Sequence, residues 1–227
     1  EFIQSEEVKS LYRGKNIDPD RFSQQLAKIM QINLVKRIES SFSAFKSSLR
    51  NLRRYTQNMI DMWEHDAIFI CPDIDINKEL NREKNFETTH KLCSFEDCAN
   101  DIRAKIEKLN KNGKNDKGRN REFKHSELLE EYIKLLHKDL NIIVFLCNRW
   151  AEYSNDPKLE KFKKELRNTL FDKQRNKAQK LVIFSEAIDT VKAIKLAIET
   201  IDDELKVLAV TSVNRSTCET LIQENFD

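Results

Sequence analysis

The stretch that most constrains the fold is Lys180–Ser212, KLVIFSEAIDTVKAIKLAIETIDDELKVLAVTS, in which two short apolar runs flank a helical pattern. The first run, Leu181–Phe184, has the apolar and β-branched composition of a strand buried on both faces of a parallel sheet. Ser185 follows it where a helix N-cap is expected, and the second run begins at Val207. Between the runs, apolar residues recur every three or four positions, at Ile188, Val191, Ile194, Ile198 and Ile201.

Two strands joined through a helix by short links predict one right-handed βαβ crossover. Ligands of open α/β sheets bind at the carboxyl ends of the strands. In this chain that edge would hold Ser185, Glu186, Thr211 and Ser212. We therefore expect the candidate site there.

The rest of the chain is predicted to be helical, because its 227 residues include only three glycines and three prolines, and 34% are charged. The net charge of +2 neither favours nor excludes a nucleic-acid partner, so such binding would need a local basic patch. Five scattered cysteines indicate reduced thiols and a cytoplasmic protein. No apolar run approaches the roughly 20 residues that span a bilayer, so we expect no membrane partner. The chain begins at Glu1 without methionine, and we interpret it as a piece of a larger protein.

A long amphipathic pattern runs from the helix start at Asp18-Pro19 to Trp63 without an intervening glycine or proline. An unbroken helix of about 45 residues would be roughly 65 Å long, which exceeds the width of a small domain. It must therefore kink, or project and pair with another helix. The broad apolar stripe of Leu128–Trp150 is the predicted antiparallel partner.

Shorter signals divide the remaining sequence. Ala67–Cys71 is a predicted strand, and the polar, basic stretch Lys111–Lys124 is a predicted mobile loop. Helix N-caps are predicted at Ser94, Ser126, Asp156 and Ser216. We place a domain boundary near Tyr153–Asp156, which gives a helical region over residues 1–155 and an α/β region over residues 156–227. The predicted fold is mostly α with a small α/β part, in which long antiparallel helices accompany a truncated parallel sheet.

Four stretches resemble Swi/Snf-type superfamily-two helicases of bacteria. DPKLEKFKKEL at 156–166, QKLVIFSEAIDT at 179–190 and KVLAVTS at 206–212 resemble the start of the second RecA-like lobe, where the strand read as LVIFSE is helicase motif IV. LVKRIESSFSAFKSSL, Leu34–Leu49, resembles a helix found between the two motor lobes. The resemblance covers about half of the chain, and its stretches occur in the order that the family has.

The resemblance implies a fragment of an ATP-dependent DNA helicase or translocase that holds the inter-lobe helices and the truncated start of lobe two. ATP and Mg²⁺ would bind in the parent protein and not here, because no glycine-rich loop ending in Gly-Lys-Ser/Thr is present. A Walker-B acidic box and the arginine-bearing segment of lobe two are also missing. We expect no catalytic residue and no cofactor in this piece, with double-stranded DNA and the remaining lobes as partners.

Two groups of residues are candidates for DNA contact. By the family pattern, Ser185 and Glu186 lie near the nucleic-acid groove, and Thr211, Ser212 and Arg215 lie where related motors contact backbone phosphates. The basic pair Lys36 and Arg37 could lie over a duplex from the long helix. Each group also has an interpretation that involves no DNA. Ser185 would only cap a helix, Thr211, Ser212 and Arg215 would be ordinary polar residues of a loop, and Lys36 and Arg37 would lie on a solvent-exposed helix face.

Other sites have weaker sequence support. His90, Cys93 and Cys98 do not have the spacing of a closed zinc site, so we expect no metal. Trp63 and Trp150 have the helical spacing of packing residues, although tryptophan can also stack on bases. The alternative function, from a different class, is a non-catalytic helical module that binds a partner protein.

Overall fold

The computed structural model describes residues 19–81, 83–86, 89–92, 94–201 and 205–226, and these are mostly helical, as predicted. Two small antiparallel sheets accompany the helices. The helices are α1 Pro19–Ser40, α2 Phe42–Glu64, α3 Ile76–Leu80, α4 Phe95–Lys111, α5 Glu130–Ala151, α6 Pro157–Glu165, α7 Ile188–Ile201 and α8 Arg215–Phe226. The strands are β1 Ile68–Ile70, β2 Glu83–Phe86, β3 Thr89–Leu92 and β4 Arg121–Phe123.

The described chain packs as two compact units. The first contains the described residues up to Ile29 together with Arg50–Leu146, and the second contains Met30–Leu49 together with the described residues from Cys147 onward. Residues of α1, α2 and α5 therefore belong to both units. The domain boundary after residue 155 remains a prediction.

The long amphipathic pattern is divided into α1 and α2 at Ser41. The Ser41 hydroxyl accepts a hydrogen bond from the backbone N–H of Ala44 at 3.0 Å, and the N–H of Phe42 donates to the carboxylate of Asp156 at 2.8 Å. Side-chain oxygens thus take backbone donors at the start of α2, which is how serine and aspartate begin helices. The predicted helix is interrupted without any glycine or proline.

Aromatic contacts pair α2 with α5 in each unit. In the first unit, the Trp63 ring lies 5.9 Å from that of Tyr132, close to the start of α5. In the second unit, Phe42 and Phe45 place their rings 5.1 and 4.7 Å from Trp150, near the end of α5. Each of these contacts lies within one unit. Both tryptophans are therefore packing residues here.

The first unit is built around β1 and β4. The predicted strand Ala67–Cys71 forms β1, which pairs antiparallel with β4 so that Ile68 faces Phe123. Phe123 is completely buried, and apolar residues of α2, β1 and α4 surround it. The described core of this unit consists of Met62, Ala67, Ile68, Phe69, Cys71, Ala99, Ile102, Phe123 and Leu128.

The prediction of a loop over Lys111–Lys124 is wrong near the end of this stretch, because that part forms β4. Asn120 is only 1% exposed, and its side chain bonds the backbone N–H of Asp73 at 3.1 Å and the Asp73 carboxylate at 2.7 Å. These bonds satisfy the polar groups of the buried Asn120 amide, whereas Asp73 is exposed. A single apolar residue among polar ones, Phe123, was too weak a signal to predict the strand.

The second unit does not show the predicted parallel strands. Among the residues that the structure describes, neither 180–185 nor 206–211 belongs to a strand, whereas the intervening helix forms as α7. The first apolar run was predicted to be buried on both faces, yet Val182 is 54% exposed and Phe184 is 91% exposed. A parallel sheet needs layers on both faces, and the described residues provide α7 alone as the crossover helix. The interpretation of Lys180–Ser212 as paired strands is therefore not supported in this structure.

Candidate functional site

The carboxylate of Asp156 lies at the start of two helices in the second unit. One oxygen accepts the N–H groups of Lys158 at 3.0 Å and Leu159 at 3.4 Å, which makes Asp156 the predicted N-cap of α6 with Pro157 in the first turn. The other oxygen accepts the N–H of Phe42 at the start of α2. Asp156 is 8% exposed, so these bonds satisfy a carboxylate that has little access to water.

Three hydroxyl groups meet beside it. Thr190 Oγ1 lies 2.7 Å from Ser41 Oγ and 2.8 Å from Ser40 Oγ, which joins α7 to the break between α1 and α2. Ser41 and Thr190 are both buried, so their hydroxyl groups need protein partners. The Lys158 ammonium also donates to the backbone carbonyl of Glu39. We call Ser40, Ser41, Asp156, Lys158 and Thr190 the polar junction.

The predicted basic pair lies one turn before the junction on α1. Lys36 is exposed, and Arg37 is half-buried. The carbonyl of Arg37 accepts the N–H of Ser41 at 3.1 Å, so the pair is held in register with the junction by regular helix geometry.

Ser185 and Glu186 lie just before α7. The Ser185 hydroxyl is 3.3 Å from the N–H of Ala187, and α7 begins at Ile188, so Ser185 closes a local turn and is not the N-cap that was predicted. Ala187 accepts the N–H groups of Thr190 and Val191 through its carbonyl. Glu186 is exposed. A serine three residues before a helix looks the same in sequence as a serine that caps it.

Thr211, Ser212 and Arg215 surround the start of α8. Asn214 organises this turn: its side-chain oxygen accepts the N–H of Thr211 at 2.7 Å and the hydroxyl at 3.0 Å, and its amide donates to the carbonyl of Ala209 at 2.9 Å. Ser212 and Arg215 are exposed. The predicted capping box at Ser216 is wrong, because α8 begins at Arg215 and Ser216 lies inside it.

A cavity of about 600 Å³ separates the two segments that were predicted to pair. Ser185 and Ile183 line it from one segment, and Val207 and Ala209 line it from the other. Of the seven predicted contact residues, only Ser185 belongs to its lining. No hydrogen bond or ion pair between any two of those seven occurs in the described residues. They share one unit, but no compact cluster.

Sequence reasoning missed the residues that organise this unit. Asn214, Thr190 and Ser41 hold the turns and the junction, although none was proposed as a site residue. Only one local sequence signal pointed to these residues, the helix start at Asp156-Pro157. It predicts the N-cap of α6, but it does not predict that Asp156 also accepts a hydrogen bond from Phe42. That bond joins residues 114 apart, and no local pattern encodes it.

The residues present do not fit a phosphate cradle for ATP. In the sequence, each glycine is followed by Lys-Asn or Arg-Asn and never by Lys-Ser/Thr. Gly113 and Gly118 both have positive φ, at 63° and 68°, and serve the turns between α4 and β4. Across the described ranges, no group of three or more His, Cys, Asp or Glu residues could hold a metal ion. Of the three residues whose spacing did not fit a zinc site, the His90 side chain and Cys93 lie outside the described residues, and Cys98 is buried.

No helix in the described part of the chain is both long and apolar enough to cross a bilayer. Comparison with known proteins found no matching family profile, no similar curated protein and no similar solved structure. The resemblance to helicases therefore stands on the quoted residues alone.

Proposed function

We propose that this chain is part of an ATP-dependent DNA translocase of the Swi/Snf type, to which it contributes a helical arm and the start of the second motor lobe. One observation carries this proposal. Three of the four stretches that resemble the family, Leu34–Leu49, 156–166 and 179–190, meet in one unit at the polar junction. Chance resemblances scattered along a chain have no reason to share hydrogen bonds across 149 and 114 residues.

The role of this piece is positional, and nucleotide hydrolysis belongs to other parts of the parent protein. Thr190 joins the helix after the motif IV segment to the arm formed by α2, so a displacement of that segment moves the start of the arm. The bond between Ser41 and Thr190 is buried, which makes it stronger than a surface contact. Lobe movement would reach the arm through this junction.

In the complete lobe, we propose that 180–184 and 206–211 become neighbouring parallel strands. The exposed apolar side chains of Val182 and Phe184 are the support, because a neighbouring layer of the lobe would bury them. The cavity between the segments would close when the strands pair.

We propose that this chain contacts DNA through the phosphate backbone. Lys36, Arg37 and Arg215 would supply charge, and Thr211 and Ser212 would supply hydroxyl donors, with Ser185 and Glu186 at the edge of the groove. Such contacts position a protein on a duplex without reading its sequence.

Fluorescence anisotropy with a labelled duplex over a salt series tests this function. The triple variant Lys36→Gln, Arg37→Gln, Arg215→Gln should reduce the slope of log K against log salt by up to about 2.7, at about 0.9 for each lost phosphate contact. The control carries Lys108→Gln, Lys138→Gln and Lys164→Gln, which remove the same charge from exposed positions. An equal effect of both variants, or no binding at low salt by the unmodified chain, would contradict the proposal.

The second candidate is a helical module that binds a partner protein. Helix α1 favours it, because this helix exposes large apolar side chains at Leu26, Ile29, Met30, Ile32 and Val35. Scattered apolar residues are normal on surfaces, but a run on one helix is typical of contact sites. Absence of DNA binding at low salt, together with self-association or partner capture that Ile32→Gln and Val35→Gln abolish, would favour this function.

A further inference from the structure

The turn before the motif IV segment is held by its own uncharged polar side chains and by Asp172. The Asp172 carboxylate accepts the N–H groups of Gln174 at 3.0 Å and Arg175 at 2.9 Å, and its carbonyl accepts the N–H of Asn176 at 2.7 Å. An aspartate that binds the next backbone donors fixes a tight turn. The one acidic side chain of residues 172–180 is therefore occupied with the backbone.

Two amides complete the turn. The Asn176 amide donates to the carbonyls of Leu170 and Lys180, each at 2.9 Å. The Gln179 amide donates to the carbonyl of Asn176 at 2.6 Å and to that of Phe171 at 3.3 Å. Gln179 has a φ of 51°, a left-handed conformation that residues with a side chain rarely adopt, and these bonds hold it there.

The basic side chains of this turn take no part in that network. Lys173, Arg175 and Lys177 are exposed, and no acidic side chain in the described part of the chain pairs with them. Three positive charges thus occupy alternate positions within five residues of a turn whose backbone is already fixed. None of the exposed large apolar side chains lies between residues 172 and 180.

We propose that Lys173, Arg175 and Lys177 form a preformed contact surface for the phosphodiester backbone of nucleic acid, which we call the basic turn. The inference rests on the proposed function and adds a contact that the family resemblance did not indicate. Protein interfaces bury an apolar centre, and the basic turn has none, whereas phosphate contacts need only positioned donors. Because the backbone is already fixed, little conformational entropy is lost on binding.

The first experiment removes the charge. In duplex anisotropy over a salt series, Lys173→Gln, Arg175→Gln, Lys177→Gln should lower the slope of log K against log salt by about 1 to 3. The exchange variant Lys173→Arg, Arg175→Lys, Lys177→Arg should keep the slope of the unmodified chain. The triple variant Lys108→Gln, Lys138→Gln, Lys164→Gln again serves as the matched control. A basic-turn variant that behaves like this control would overturn the inference.

The second experiment keeps the charge and loosens the turn. Asn176→Ala removes the bonds to Leu170 and Lys180, and it should weaken binding about two- to tenfold while leaving the salt slope unchanged. Gln174→Ala, at an exposed neighbour whose side chain makes no hydrogen bond within the described residues, should have no effect. Equal binding by Asn176→Ala and the unmodified chain would show that the turn is not preformed for this ligand.

These outcomes separate the basic turn from the proposed function. If the chain binds DNA and only the Lys36, Arg37 and Arg215 variant loses slope, the translocase assignment gains support and the basic turn is overturned. If only the basic-turn variant loses slope, the basic turn is supported and the family-derived contacts are wrong. Competition by poly-glutamate as strong as that by DNA of equal charge would overturn the nucleic-acid assignment in favour of an acidic protein.

Discussion

Asp156 begins two helices that lie more than a hundred residues apart in sequence. Its oxygens accept three backbone N–H groups, from Phe42 on α2 and from Lys158 and Leu159 on α6. Each helix start has donors without a partner inside the helix, so one buried carboxylate compensates for both. The Asp-Pro pair predicted the α6 cap from local sequence, but the bond to α2 depends on tertiary packing.

Asp156→Ala should therefore cost more than the loss of one cap. Caps contribute about 1 kcal/mol each, so we expect the free energy of unfolding to fall by roughly 2 kcal/mol in urea denaturation. Asn155→Ala, at the exposed neighbouring position, should change it by less than about 0.5 kcal/mol. A loss no larger for Asp156→Ala than for Asn155→Ala would show that the double cap does not form.

Cys71 is expected to be an unreactive thiol. Burial raises its pKa to about 11, the backbone hydrogen bond to Arg121 opposes this, and the charge of Asp73 adds to it. Against an ordinary value of 9.0, the thiolate fraction at pH 8 falls about a hundredfold. Iodoacetamide labelling followed by peptide mass spectrometry should find Cys71 far slower than the partly exposed Cys147. Equal labelling rates in the folded chain would contradict the buried placement of β1.

The helix caps show how well local residue patterns predict where a helix begins. Ser94 caps α4 as predicted, with its hydroxyl 3.2 Å from the N–H of Asp97, and Asp156 caps α6. The predictions at Ser126 and Ser216 were wrong, because α5 begins later, at Glu130, and α8 begins earlier, at Arg215. Where several serines and acids precede an apolar run, packing decides which residue begins the helix.

At the scale of elements, α4 is tied to β4 by an ion pair. The Arg103 guanidinium donates to both carboxylate oxygens of Glu122, at 2.9 and 2.7 Å, and also to Glu96 at 2.8 Å. The bond from Arg103 is the main reason that the pKa of Glu122 lies below its usual range, although partial burial opposes it. The planar guanidinium fixes the geometry of the pair.

Glu122→Gln should destabilise the chain in a pH-dependent way. Because folding lowers the pKa of Glu122, its contribution is fully present above the ordinary value of 4.5 and is lost as the pH falls through the folded value. At pH 7 we expect a loss of about 1 kcal/mol, since the pair is partly exposed. Urea denaturation from pH 7 to pH 3 should show the difference between variant and unmodified chain narrowing below pH 4.5.

The background Arg103→Gln provides the control for this pair. Without the guanidinium, Glu122→Gln should have little effect at any pH in that range. A loss that stays constant down to pH 3 would instead point to packing of the side chain as the source of its contribution.

The sequence predicted helices and strands better than it predicted which segments pair with each other. Periodicity predicted α7 and the strand β1 correctly, and it gave the extent of α1 and α2 together. It did not predict the break at Ser41, which depends on the carboxylate of Asp156. The runs at 180–184 and 206–211 have the composition of strands. Composition shows that apolar residues alternate or cluster, but it does not predict which segment a strand would pair with.

At the scale of the whole molecule, segments distant in sequence build each compact unit. Met30–Leu49 packs with the described residues from Cys147 onward, whereas the boundary near residue 155, which stays a prediction, would divide the chain into two consecutive segments. Helix periodicity carries no information on which residues along a helix share a unit. The candidate site shows the same limit: the sequence named residues of one unit, but the bonds that organise the unit were visible only in three dimensions.

The central claim is that the stretch containing Ser41 and the stretch containing Thr190 form one packed unit in solution, and a double-mutant cycle tests it most directly. Ser41→Ala, Thr190→Val and the double variant should show a coupling energy of about 0.5–1.5 kcal/mol in urea denaturation, because their buried hydroxyl groups lie 2.7 Å apart. The control cycle pairs Thr190→Val with Ser48→Ala, whose hydroxyl bonds the local carbonyl of Ala44, and it should be additive. Additive effects of Ser41 and Thr190 would contradict the account.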